Sequence, residues 1–305
     1  MFVLKALLSV FLFFITDVLV AQSSATMDSL TNLLEAVFTK DQVVRFQLDS
    51  VMHKFGNNSK ETRKQIQIMH AVDSANKIIV TKVLDKYGWF SAAQSSENAS
   101  LALYLVIQHS DTKTQLKYIS SLKSATDKAV MNQKYYAYMF DRINSNIGKL
   151  QEYGSQVGIS TTGKCYNYPI RDEPNVNNRR KKIGLGTMEE YMKNQFNYNY
   201  VLPKYDLYKN RIILTGHTLN ASQFPVNDVA IWLGNRLLAK TDADGFFKII
   251  LDNRYDQSDI CFKKDGYNKK NVSLKTEGKK EVYFFLLTLD SPTLSLTKAR
   301  KAFKS

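Results

Sequence analysis

The sequence predicts a two-part chain of the α plus β class, with an all-helical domain followed by a small antiparallel β-sandwich. Apolar residues recur at steps of three and four from Met27 to about Asn199, whereas from Arg211 they form short alternating runs between Gly- and Asp-containing turns. A length of 305 residues suits two ordinary domains. A composition of 44% hydrophobic and 23% charged residues excludes both a disordered chain and a polytopic membrane protein.

The first 21 residues read as a secretory signal peptide. Lys5 precedes an apolar run from Ala6 to Ile15, which Asp17 breaks before it reaches the roughly 20 residues that a spanning helix requires. Cleavage is placed after Ala21, and no Cys lies nearby to carry a lipid. No later stretch is apolar enough to span a bilayer, so no integral membrane segment is expected after signal removal. The expected location is the periplasm, the cell surface or the extracellular space.

The helical domain is placed at 27–199. Leu30, Leu33, Leu34 and Val37, then Val44, Leu48, Val51 and Phe55, share one stripe that Gly56 should end. A second stripe runs through Ile66, Met69, Asp73, Asn76, Val80, Val83 and Tyr87 to Gly88, with two polar residues inside it. Leu101 to Ile107 is apolar on every side, the mark of a central buried helix. Two amphipathic segments follow, one on Leu116, Ile119 and Leu122 and one on Tyr136, Met139, Ile143, Ile147 and Leu150. Beyond Tyr153-Gly154 the regularity fades into a loop, until Thr187 and Glu190 form a capping box for a last helix.

Residues 200–210, within an Asn- and Tyr-rich stretch that begins near Asn197, are the expected linker, and 211–289 the sandwich. Its strands are expected around Arg211–Leu219, Val229–Leu233, Leu237–Ala239, Phe247–Ile249, Ile260–Lys263, Lys270–Leu274 and Val282–Leu287. Asp242, Asp244 and Gly245 read as a hairpin turn, since the remaining positions of a calcium loop are absent. Residues 290–305 form a basic tail. Cys165 and Cys261 fall in different halves and read as structural thiols, Cys261 buried in a strand.

The net charge of +14 is shared between the halves, with an excess of eight over residues 1–210 and six over 211–305. Neither half is a basic domain, so specific nucleic-acid binding is not expected. Among the four histidines, His53, His70, His109 and His217, no pair has helical metal-ligand spacing, and no Walker loop, dinucleotide fingerprint, H-E-x-x-H or G-x-S-x-G is present. Neither a metal nor a cofactor is expected.

Gln108 and His109 end the buried helix, so their side chains require partners or a cavity. Asp111 could pair with His109 or cap the next helix. Asn76 and Asp73 interrupt the second stripe, with His70 close by in sequence. By periodicity Asp141 lies opposite the Tyr136–Leu150 stripe, on a solvated face, with Tyr138 and Arg142 one turn apart. Arg179 and Arg180, in a loop of mixed charge, would clamp an anion or dock that loop onto Asp141.

The series Gly88-Trp89, Gln108-His109-Ser110-Asp111, Tyr138, Asp141-Arg142, Gln151, Tyr153-Gly154-x-Gln156, Asn175-Val176 and Arg179-Arg180-x-x-Ile183-Gly184-Leu185 resembles a bacterial domain of unknown function (DUF6624) over about residues 40–195. Ser110 departs from that pattern, standing in place of a small apolar residue. The resemblance implies no activity. It draws Gln108, His109, Asp141, Arg142, Gln156, Arg179 and Arg180 together as one ligand-binding candidate. In the second half, Thr215-Gly216-His217, then PVNDVAIWL from Pro225, then TDADGFFKI from Thr241, resemble the carboxypeptidase regulatory-like domain over about 211–288. That likeness implies a transthyretin-like Greek-key sandwich, a module that usually accompanies other domains without catalysing.

These features favour a non-catalytic binding or structural protein of the bacterial envelope, directed at an envelope polymer or a partner protein. The competing reading is a hydrolase or transferase with His109 as general acid or base, Asp141 as its orienter or a second acid, and the arginines as an anion clamp.

Overall fold

The computed structural model describes residues 2–57, 59–159, 164–222, 224–255, 257–274 and 280–290, with side chains described from Thr26 onward. The side chains of the expected signal peptide and residues 291–305 of the expected tail lie outside the described residues. The chain divides into two compact units, Met1–Met139 and Phe140–Ser305. The change of periodicity at 200–210 therefore falls inside the second unit.

The first unit is helical: α1 (Phe2–Phe55), α2 (Lys60–Tyr87), α3 (Glu97–Gln108), α4 (Thr112–Asp127) and the start of α5 (Gln133–Asn146). The stripe read from Leu30 to Phe55 belongs to one continuous helix, α1, which Gly56 ends in a left-handed conformation at φ 84°. Ser59, Ser96 and Asp111 cap the next three helices, their side-chain oxygens accepting the amides of Thr62, Ala99 and Thr114 at 3.0, 3.1 and 2.9 Å. Leu34 and Val37 of α1, Val80 and Val83 of α2, and Leu103 and Ile107 of α3 are buried, and these three helices pack on one another. The expectation for α3 holds, since most of its residues are buried. Among the described residues no helix is long and apolar enough to cross a membrane.

The second unit opens with the end of α5 and a small hairpin, β1 (Val157–Ile159) with β2 (Cys165–Asn167). A 3-10 turn at Glu173–Asn175 then leads into α6 (Val176–Lys182), and α7 (Met188–Phe196) follows. Thr187 and Glu190 form the expected capping box on α7. The hairpin and α6 fall where a loop was expected, because three-residue strands and a seven-residue helix are too short to show a period.

Among the described residues seven strands follow: β3 (Arg211–Asn220), β4 (Ala230–Leu233), β5 (Arg236–Lys240), β6 (Phe246–Asp252), β7 (Asp259–Lys263), β8 (Lys270–Ser273) and β9 (Val282–Leu289). They form a three-stranded sheet, β6-β3-β9, and a four-stranded sheet, β5-β4-β7-β8. Alternate residues such as Ile212, Leu214, Ile231, Phe247, Ile260 and Phe262 supply one core from both sheets. The expectation of a purely antiparallel arrangement is corrected at β9, which runs parallel to β3 with Ile213 opposite Val282. Its predecessor β8 belongs to the other sheet, so no hairpin forces an antiparallel pairing.

Gly216 permits that parallel pairing, since a Cβ there would stand 2.0 Å from the Phe285 carbonyl oxygen. Gly245 forms the expected turn at φ 67°, with Asp242 accepting the amides of Asp244 and Phe246 at 2.9 Å each. Cys261 is half-buried and not buried as expected, because Ile260 and Phe262 on either side of it take the core-facing positions of β7. It carries a free thiol, as does Cys165.

Candidate functional site

In the first unit, His109 follows α3 with its Nδ1 3.4 Å from Asp41 Oδ1. Asp41 is 1% exposed and interrupts the α1 stripe between Val37 and Val44, one helical turn from each. Arg45 Nη1 lies 3.3 Å from the same carboxylate, and Arg45 Nη2 donates to Asp73 at 3.0 Å. Burial pushes the Asp41 carboxyl up. The hydrogen bond and charge of His109, the charge of Arg45 and a hydrogen bond from Gln42 outweigh it and hold the group below its ordinary value. Asp111 takes the capping role instead of pairing with His109, and with Lys77 Nζ at 3.0 Å its pKa falls to about 2. His70 is exposed.

Gln108 is buried, and its main-chain carbonyl accepts Gln115 Nε2 at 2.9 Å. Its own Oε1, Gln115 Oε1 and Asn76 Nδ2 are buried without a hydrogen-bond partner among the described residues.

The other candidates lie in the second unit, and the expected solvated position of Asp141 is corrected: its exposure is 0%. The turn at 151–155 covers the face of α5 that periodicity assigned to water. Asp141 accepts the amides of Glu152 at 2.7 Å, Tyr153 at 3.1 Å and Ser155 at 2.9 Å. Burial raises the pKa of this carboxyl against the lowering effect of those donors.

Arg179 and Arg180 sit on α6 and not in a loop, and they grip the same turn from its carbonyl side. Arg179 Nε donates to Glu152 O at 2.8 Å, with further bonds to the carbonyls of Arg171 and Asp172. Arg180 donates to Tyr153 O at 2.7 Å and Gly186 O at 2.6 Å, and lies over the Tyr191 ring. Gln156 is held through its amide by Gln151 Oε1 at 2.6 Å. The charge of Arg142 acts on the Tyr168 phenol, whose pKa burial raises.

Asp141, Arg179 and Arg180 thus meet on one segment, with main-chain groups as their partners. Gln108 and His109 belong to the other unit, where His109 has Asp41.

A second polar assembly was not visible in the sequence. Glu173, in the 3-10 turn after β2, is buried at 6% exposure and accepts the Tyr200 hydroxyl at 2.5 Å. Lys248 of β6 bends its ammonium over the Tyr208 ring, 4.8 Å from the centroid, and donates to the Tyr208 hydroxyl, while part of its length stays exposed. Burial raises the Glu173 carboxyl despite the Tyr200 hydrogen bond and the Lys248 charge. Withdrawal from water lowers the Lys248 ammonium against the pull of Glu173, and burial raises the Tyr200 and Tyr208 phenols.

Glu173, Tyr200 and Lys248 line a cavity of about 530 Å³, walled further by Tyr166, Asn167, Tyr198 and Phe246. Tyr166 stacks on Phe246 with centroids 3.6 Å apart, and burial raises its phenol to about 12. Lys164 and Asp242, 3.0 Å apart, also line it. A larger cavity of about 750 Å³ has Tyr208 on its wall, but its central charges, Arg171 and Glu281, already close on each other at 2.8 Å.

The smaller cavity joins perturbed ionisable groups, aromatic walls and convergent polar atoms, the combination expected of a ligand site. Two of its sides come from the stretch read as a linker and the region read as a loop. The concentration of Tyr and Asn at 197–210 was the available signal.

Residues 28–202 match the model of a family described as a family of unknown function (DUF6624). No curated protein matches the chain.

Proposed function

We propose for this chain, which belongs to the family of unknown function DUF6624, the role of a non-catalytic binding protein exported to the bacterial envelope, with the second-unit cavity as its ligand site. The observation that carries the non-catalytic reading is the use made of Asp141, Arg179 and Arg180. The carboxylate holds three amides and the guanidiniums hold main-chain carbonyls, so the groups required for acid–base work and anion clamping serve the 151–155 turn. The binding reading is supported by the cavity beside it, with its Glu173–Tyr200 contact and aromatic walls.

Export rests on the leader at 1–21. The strand region at 211–289 is taken as a transthyretin-like Greek-key sandwich of the carboxypeptidase regulatory-like kind, an accessory module to the family domain. The partner proposed is an envelope polymer.

The test combines fractionation with cosedimentation. Cells expressing the full chain should place it outside the cytoplasm with Gln22 as its first residue. The purified mature protein should then sediment with insoluble cell-wall polymer, and Tyr198→Ala should release it. A chain that keeps its leader in the cytoplasm, or sedimentation indifferent to cavity substitutions, would refute the proposal.

A further inference from the structure

The chemistry of the cavity narrows its ligand, granted the reading that this cavity is the binding site. The four charged side chains among its described lining residues balance, with Lys164 and Lys248 against Glu173 and Asp242, so this wall offers no net attraction to an ion. An anion entering would meet the Glu173 and Asp242 carboxylates, and a cation would meet both ammonium groups. Either would also lose its hydration.

Other features favour a neutral ligand rich in hydroxyls. Asn167 Oδ1 lies buried on the wall with no hydrogen-bond partner among the described residues, an acceptor that lacks a donor. Tyr198 is 41% exposed, and among the described residues no ring stacks on it. Val201 and Leu207 extend this apolar rim and are exposed as well.

A pyranose ring presents C–H groups on a face, which an aromatic ring can cover, and hydroxyls at its edge that both donate and accept. The lining supplies the complementary mixture: the Asn167 and Glu173 oxygens are acceptors, and the Lys248 ammonium is a donor. We propose that this cavity is a binding site for a neutral sugar, with the ring lying against Tyr198 and, once the Asn167 side chain turns out of its buried position, a hydroxyl or N-acetyl N–H donating to Asn167 Oδ1. Its volume of about 530 Å³ is in the range of small-ligand pockets.

The experiment is an amide chemical-shift titration of the mature protein with four probes: cellobiose and N,N′-diacetylchitobiose as neutral sugars, digalacturonate as an anion and trilysine as a cation. A neutral disaccharide should saturate shifts at Asn167, Tyr198–Tyr200 and Lys248. Tyr198→Ala, an exposed substitution whose fold is checked by circular dichroism, should weaken binding roughly tenfold. Asn167→Leu should do so by a similar factor.

If digalacturonate or trilysine saturates those amides and neither neutral sugar does, the cavity remains a site and the sugar assignment is overturned. If no probe moves the cavity amides while wall polymer still sediments the protein through other residues, the cavity itself is wrong and the reading beneath it falls.

Discussion

Replacing Asp141 probes the arrangement on which the non-catalytic reading depends. In Asp141→Ala, three amides, those of the half-buried Glu152 and Tyr153 and the buried Ser155, which now donate to one carboxylate at 2.7, 3.1 and 2.9 Å, lose their acceptor. Hydrogen bonds to a charged group are worth about 1.5–3 kcal/mol each, and relief from burying a charge returns part of the sum, so the loss should be about 4 kcal/mol. Asp141→Asn keeps one acceptor oxygen and turns an NH2 group toward an amide N–H, so about 2 kcal/mol is expected.

Urea unfolding in a Trp89→Phe background gives the assay, because Trp232 of β4 then reports on the second unit alone. The raised pKa of Asp141 also fixes a slope. The folded state holds that proton more tightly than the unfolded chain, so this group's contribution to stability falls as pH rises from about 3.8 through the raised folded value. The Asn variant should lack that slope. An Ala variant within 1 kcal/mol of wild type would show that the turn does not depend on the carboxylate, and Asp141 would return to the pool of catalytic candidates.

Asp41→Asn should destabilise the first unit by roughly 1–3 kcal/mol at neutral pH, read from the unfolding of a Trp232→Phe variant that reports through Trp89. Because the Asp41 pKa is lowered on folding, its stabilisation is present above about 3.8 and lost as pH falls through the folded value, so the variant should show a shallower acid transition. Asp111→Ala should cost about 1 kcal/mol as a lost helix cap. Its pH dependence should lie between 3.8 and about 2, with the stabilisation present above that window; an unchanged acid limb would contradict this. Gly216→Ala forces a Cβ against the Phe285 carbonyl oxygen and should cost about 3 kcal/mol or more, and hydrogen exchange should show faster opening of β9 than of β7.

Much of the secondary structure was legible because its signals are local. Apolar spacing fixed α2 and α3, the Thr187–Glu190 box opened α7, and the alternation of Ile212, Leu214, Phe247 and Ile249 marked strands of one core. Pairing direction was not legible, since whether β9 runs with or against β3 depends on a crossing between sheets. The fate of Asp141 was hidden for the same reason: a helical wheel shows which face opposes the apolar stripe, but not that a later turn will cover it. Asp41 was open to discovery, as a lone carboxylate between Val37 and Val44, yet its partner His109 is 68 positions away. Glu173 gave no local sign, because its burial depends on Tyr200 and on a strand some 70 residues further on.

The placement of β9 bears on how the chain folds as it is made. β3 lies in the middle of its sheet, between β6 and β9, yet its second neighbour is the last strand among the described residues. Glu281, at the threshold of β9, also clasps Arg171 and accepts the amide of Leu150, and the Gly148 carbonyl accepts the amides of Glu281 and Val282. A nascent chain that has emerged only as far as β8 therefore carries an open edge along Ile213 and lacks the Glu281 contacts to Leu150 and Arg171. Closure of this sheet requires β9, a pairing of residues distant in sequence that carries a large loop-closure cost. Under the export proposed above, such late closure would keep the chain threadable, and the exposed edge of β3 during that interval is where a chaperone would be needed.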